Sequence, residues 1–146
     1  MDILVNRKAY HDYEIIEEFT AGIVLLGPEV KALHLKQVSL KDSFVTIIDN
    51  EVFWKNGHMA IPSYVTLDRP DEKRDRKLLL NKKEIRKINE MIKEKGYTVI
   101  PLKLIKVRGM YKLVIAVAQG LKKYDKRQKL KEKDQKRDIQ RALKDY

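Results

Sequence analysis

The residues best equipped for chemistry lie between 121 and 146, LKKYDKRQKLKEKDQKRDIQRALKDY. They include eleven Lys or Arg against five Asp or Glu, a net +6 out of +11 for all 146 residues. The stretch has no Gly, Pro or Cys and few apolar side chains. Such a segment cannot bury enough surface to offset the entropy of ordering itself, and its charge suits an anionic partner, nucleic acid above all. Bases and flat rings recur near the start of the chain, where Asn6, Arg7, Lys8 and His11 stand beside Tyr10 and Tyr13. That mixture suits contact with an RNA backbone and stacking on unpaired bases. Lys31 and Lys112 are further candidates for phosphate contacts.

Catalysis has little to build on. His11, His34 and His58 are scattered, without metal-ligand spacing. Asp42, Asp49 and Glu51 could be imagined as a metal-dependent nuclease site, but Asp49 is better explained as a turn residue and Glu51 as a strand-edge charge. Neither G-x-x-x-x-G-K-[ST] nor G-x-G-x-x-G occurs. The expectation is no catalytic residue, no metal site and no cofactor. The absence of cysteine excludes disulfides and Cys-based zinc sites. No apolar run is long enough to cross a bilayer, and the first residues lack the apolar stretch of a signal peptide. The expectation is a soluble cytoplasmic protein, with nothing suggesting more than a monomer.

These residues need a scaffold. Residues 1–120 keep a net +5 and nearly all the apolar side chains, enough for one domain, with 121–146 as a basic tail. Residues 13–19 and 23–26 look like paired strands around Ala21-Gly22. Gly27, Pro28 and Glu29 mark a helix start, with a carboxylate in the first turn and Val30 and Leu33 sharing a face. Glu29 could serve the helix dipole, accept from base amino groups, or hold a neighbouring Arg in place. Residues 43–48 and 51–54 flank Asp49-Asn50 as a hairpin, and Asn56-Gly57 is another turn. Residues 63–76 read as a mobile polar loop. Leu78, Leu79 and Leu80 cannot all face one core; an extended backbone turns Leu79 outward. The clearest helix spans residues 82–95, with Asn81 as N-cap, Glu84 completing a capping box, Gly96 as the stop, and Ile85, Ile88 and Ile92 as its buried stripe. Residues 97–107 and 111–118 form a long hairpin over Arg108-Gly109, with Lys103, Arg108 and Lys112 on an exposed face. In the tail, Ile139, Ala142, Leu143 and Tyr146 have helical spacing, a narrow apolar stripe on a helix that is marginal alone. The fold class is mainly β: an antiparallel barrel of about six strands with two or three flanking helices.

Six stretches taken together resemble a known family: NRKAYHDYEI (6–15), AGIVLLGPEVKAL (21–33), KDSF (41–44), RKLLLNKKEI (76–85), GYTVIPLKL (96–104) and GLKKYDKR (120–127). In order, spacing and wording, over essentially the whole chain, they resemble the SsrA-binding protein, or small protein B, family of bacteria. The chain departs from the family pattern at His34, at Lys36-Gln37-Val38, after His58, and at Gln119 and Leu121. The resemblance implies an oligonucleotide-binding (OB) type barrel. It implies binding to the tRNA-like part of transfer-messenger RNA and its delivery, with elongation factor Tu, to ribosomes stalled on messages lacking a stop codon. It places Glu29 and Lys112 in RNA binding, with Lys112 on the RNA-facing strand, and lets Leu79 pack on a splayed nucleotide. It sets Lys122, Lys123, Tyr124, Asp125, Lys126 and Arg127 near the decoding centre of the small-subunit rRNA, with Tyr124 stacked on a base. The tail, with Lys129, Lys131, Lys133, Lys136, Arg137 and Arg141, would be disordered when free and helical in the empty mRNA channel. A different reading of the same barrel and charge is a general single-stranded RNA binder of the translation apparatus.

Overall fold

The computed structural model describes residues 2–121, so every expectation for residues 122–146 lies outside the described residues. The chain forms β1 (Asp2–Val5), α1 (Arg7–Asp12), β2 (Tyr13–Ile23), α2 (Gly27–His34), β3 (Val38–Ser39), β4 (Phe44–Ile48), β5 (Glu51–Lys55), β6 (His58–Met59), β7 (Arg76–Leu79), α3 (Lys82–Lys95), β8 (Thr98–Val107) and β9 (Met110–Gly120). Seven strands make one antiparallel sheet in the order β1-β8-β9-β2-β7-β5-β4, while β3 and β6 pair separately. The sheet curls until β4 comes against β8, which gives the antiparallel barrel expected from the sequence, with more and shorter strands.

Local signals set several elements where the sequence placed them. α3 starts at Asn81, whose side chain accepts from the Glu84 N–H at 2.8 Å, and ends at Gly96 in the left-handed conformation, φ 66°. Ile88 is buried, and Ile85 and Ile92 pack on the core from the same face. Asp49 and Asn50 both take positive φ, 51° and 62°, between Ile48 and Glu51. Arg108 and Gly109, at φ 50° and 79°, do the same between Val107 and Met110. Both are the two-residue turns whose twist matches antiparallel strands.

Other elements depart from the sequence reading. Residues 13–26 do not fold back on themselves. β2 is one strand that pairs with β9 from Tyr13 to Gly22 and with β7 at its far end. A register shift between Ile15 and Glu17 accounts for the imperfect alternation, since a bulge moves later side chains to the other face. On α2 the inward residues are Glu29, Ala32 and Leu33, and Val30 faces out. α1 forms around the basic N-terminal motif, with Asn6 as its cap. Residues 60–75 are irregular but tied down. Arg69 donates to the carbonyls of Ile61, Pro62 and Val65 at 2.8, 2.8 and 3.0 Å, and Glu72 accepts from the Ile61 N–H at 2.9 Å.

The barrel interior holds Phe19, Ala21, Val52, Trp54, Leu78, Leu104, Leu113, Ile115 and Val117, closed by Leu33 and Ile88 from the helices. A smaller apolar layer lies on the outer face of β8 and β9, where Ala9 of α1 meets Ile100, Leu102, Val114, Ala116 and Ala118. Both faces of these two strands are therefore covered near α1, and bare sheet is left towards Lys112. Gly57 lets the backbone pass against the Trp54 ring; a Cβ there would overlap it.

Candidate nucleic-acid interface

Cross-strand pairing sets the geometry. Gly22 on β2 lies opposite Leu79 on β7 and opposite Lys112 on β9. Directly opposed residues share a face, so Leu79, Gly22 and Lys112 form one row on the outside of the barrel. The alternation of β7 puts Arg76 and Leu78 inside and Lys77 and Leu79 outside, with Leu79 54% exposed. Leu80 is partly buried and packs on the core with Ile85. Glycine leaves the floor between the leucine and the lysine open, since any Cβ at position 22 would press Leu79 at 3.3 Å. An exposed apolar side chain and a cation across a bare backbone step suit a nucleotide: the base against Leu79, the phosphate at Lys112.

Just beyond the end of β2 lies a buried charge cluster. Glu29 and Arg76 are both 0% exposed. Glu29 Oε2 accepts from Arg76 Nε at 2.6 Å, and Oε1 accepts from Arg74 Nη2 at 2.6 Å and from the Leu26 N–H at 2.9 Å. Arg76 also donates to the carbonyls of Gly57 and Glu72 at 2.6 and 3.0 Å and lies 5.3 Å from the Trp54 ring centre. Arg74 reaches the Val24 carbonyl at 3.2 Å and keeps 28% of its side chain exposed. A carboxylate so enclosed does not touch a base. Of the roles open to Glu29, the geometry leaves that of holding arginines, one inside the barrel and one at its surface. Sequence reading missed both arginines because it placed 63–76 in a loose loop; the signal was two Arg spaced i, i+2 at the entrance to an alternating strand.

Burial alone would raise the Glu29 carboxyl, but the Arg74 hydrogen bond, the Leu26 N–H and Arg76 outweigh it and hold the group below its ordinary value. Burial pulls Arg76 down against the attraction of Glu29, yet a guanidinium stays charged throughout the accessible range. A depressed folded value means that Glu29 contributes stability above its unfolded pKa of about 4.3, and that this is lost as pH falls through the folded value. The urea midpoint should therefore hold from pH 7 to about 5 and drop at lower pH. The Glu29→Gln protein should show a shallower drop. Equal acid slopes for the two proteins would remove Glu29 from the explanation.

The other candidates gather about 30 Å away along β2, taking 3.3 Å per residue from Gly22 to Tyr13. Asn6 caps α1 and donates to the Pro101 carbonyl at 3.0 Å, a structural duty that its place in a basic motif does not reveal. Arg7 and Lys8 are exposed on α1, and His11 Nδ1 lies 2.9 Å from Asp12. Tyr13 pairs with Gly120, and the Leu121 N–H donates to the Asp12 carbonyl at 3.0 Å. A cavity of about 510 Å³ opens beside them, lined in part by Arg7, Lys8, Leu40, Lys41 and Pro101. The N-terminal motif is thus neighbour to the root of the tail and separate from the row at Lys112. Lys31 is exposed on α2. Among the described residues no group of three His, Asp or Glu is placed to hold a metal ion, and no helix is long and apolar enough to cross a membrane.

A curled antiparallel barrel with a cation and an exposed leucine across bare sheet has the form of an RNA-binding β-barrel. Comparison with known proteins makes this specific. The model of the SmpB protein family matches residues 3–145, and the chain belongs to that family. It is similar to the SsrA-binding protein of Staphylococcus carnosus, 49% identical over 140 residues that cover 96% of this chain and 90% of that protein. The SsrA-binding protein of Lactococcus lactis subsp. cremoris is 48% identical over 141 residues, covering 97% and 91%. A solved structure described as "tmRNA-SmpB: a journey to the center of the bacterial ribosome" matches with TM-score 0.67 at 40% identity, over 82% of this chain and 85% of that one.

Proposed function

We propose that this chain is a non-enzymatic, cytoplasmic adaptor. It binds the tRNA-like domain of transfer-messenger RNA and delivers it to stalled ribosomes for trans-translation. Family membership supports the partner, and the row of Leu79, Gly22 and Lys112 is the observation that carries the mode of binding. Leu79 packs on an unstacked nucleotide, Lys112 and Lys31 meet phosphates, and Glu29 acts through the arginines it holds. Asn6, Arg7, Lys8, His11 and Tyr13 belong to a second RNA surface, continuous with the tail root at Leu121. From there Lys122, Lys123, Tyr124, Asp125, Lys126 and Arg127 meet the decoding centre, and residues 129–146 enter the mRNA channel as a helix. The protein acts as a monomer, with elongation factor Tu in the delivery complex.

The test is a titration against transfer-messenger RNA and an ordinary tRNA-sized RNA at two salt concentrations. Charge alone gives similar affinities that fall steeply with salt. The adaptor reading expects a large preference for the cognate RNA that survives raised salt. Leu79→Ala should weaken it by about 5- to 150-fold, the equivalent of roughly 1–3 kcal/mol for a lost stacking contact. Lys112→Ala should lower the salt slope by about 0.7 to 0.9. Equal binding of the two RNAs would make the barrel a general single-strand binder instead.

A further inference from the structure

Across the sheet from Lys112, through Gly22 and Leu79, the next strand is β5. Val52 lies opposite Leu78, so the start of β5 and the Asp49-Asn50 turn fall just past Leu79. There Asn50, Lys82, Ile85 and Arg86 line a cavity of about 370 Å³, within the roughly 300–1,000 Å³ of small-ligand sites. Three strand spacings of about 4.8 Å separate β9 from β5, so the cavity lies about 14 Å from the Lys112 backbone.

The cavity has the makings of an anion site. Lys82 and Arg86 are four residues apart on α3 and so share one face of it. Among the described residues neither has an ion pair or a side-chain hydrogen bond, whereas Lys77 is paired with Glu51 and Lys87 with Glu17. The nearby acids are largely engaged: Glu84 accepts from the Asn81 N–H at 3.2 Å and Glu51 faces Lys77, which leaves Asp49 on the outer side of the turn. Two unpaired cations above an apolar floor at Ile85 fit a phosphodiester with its ribose, and the arginine fork suits two phosphate oxygens.

We propose that this cavity binds a backbone phosphate of the same RNA strand that crosses the row of Leu79, Gly22 and Lys112, extending that interface by one further contact. The inference rests on the RNA-binding reading of the row. The experiment titrates transfer-messenger RNA into the full chain at several salt concentrations. Lys82→Ala/Arg86→Ala should weaken binding about 10-fold or more at moderate salt. It should also lower the salt slope by about 1.4 to 1.8, the share of two phosphate contacts. Lys93→Ala/Lys95→Ala removes the same charge from the far end of α3 and should leave the slope unchanged. Lys82→Glu/Arg86→Glu should bind more weakly still, with an unaltered thermal melt reporting intact folding. An unchanged slope in the alanine pair, or an equal fall in the Lys93/Lys95 pair, overturns the proposal. Leu79→Ala in the same series separates the two readings. If it binds normally, the row itself is wrong; if it alone binds weakly, only the cavity is.

Discussion

Replacing Glu29 by Gln is expected to lower the melting temperature by about 10–20 °C. The change keeps the shape of the side chain, so no cavity opens. It removes the only carboxylate bonded to the Arg76 guanidinium, which is 0% exposed. Breaking a buried ion pair from one side costs about 3–5 kcal/mol, because the remaining charge stays in the low-dielectric interior unmatched. That is a large share of the 5–15 kcal/mol typical of a domain, and in a body of this size each kcal/mol moves the midpoint by several degrees. Glu29→Gln/Arg76→Met should recover part of the loss, since both charges are then gone. At a temperature where Glu29→Gln remains folded, its affinity for transfer-messenger RNA should still fall, because Arg74 is no longer held at the surface. A melt within two or three degrees of wild type would mean that the cluster is not what locks α2 to the barrel.

Ending the chain at Gln128 is expected to abolish peptide tagging and to leave binding of transfer-messenger RNA nearly intact. The deletion removes seven basic and four acidic residues, only +3 of the net +11, and none of the residues placed at the Lys112 row. Its electrostatic effect on the body's affinity should accordingly be small. Its effect on the ribosome should be total if the tail reads the channel. A helix of about 20 residues spans about 30 Å, long enough to be blocked wherever mRNA fills the same space. The measurement is tag addition in a translation reaction programmed with a message lacking a stop codon, beside a binding titration of the same protein. Tagging at the normal rate by the shortened chain would end the sensing proposal.

How much of this could be read from the sequence depended on how far each residue's partner lies along the chain. The limits of α3 were legible because Asn81, Glu84 and Gly96 act within one turn of the backbone they cap. The turns at Asp49-Asn50 and Arg108-Gly109 were legible for the same reason. So was the outward turn of Leu79, which needs only the alternation of a strand. β2 was misread because Ala21-Gly22 resembles a turn until β7 and β9 lie on either side of it. The burial of Arg76 could not be read locally, since its carboxylate partner is 47 residues away. The division of the basic candidates into two groups was hidden too. Lys8 and Lys112 look alike as residues, and only the register of β2 on β9 puts them at different ends.

That register has a mechanical side. β9 begins beside the Lys112 row and ends at Gly120, where the chain leaves the barrel, and it is flanked along its length by β2 and β8. A pull on Leu121 along the strand axis meets two ladders loaded in parallel, so their hydrogen bonds share the force and do not open one at a time. The Leu121 N–H bond to Asp12 adds a stitch at the exit. Tension entering at the root of the tail is therefore carried as shear through the whole barrel wall to the face that holds Lys112, with no hinge between them.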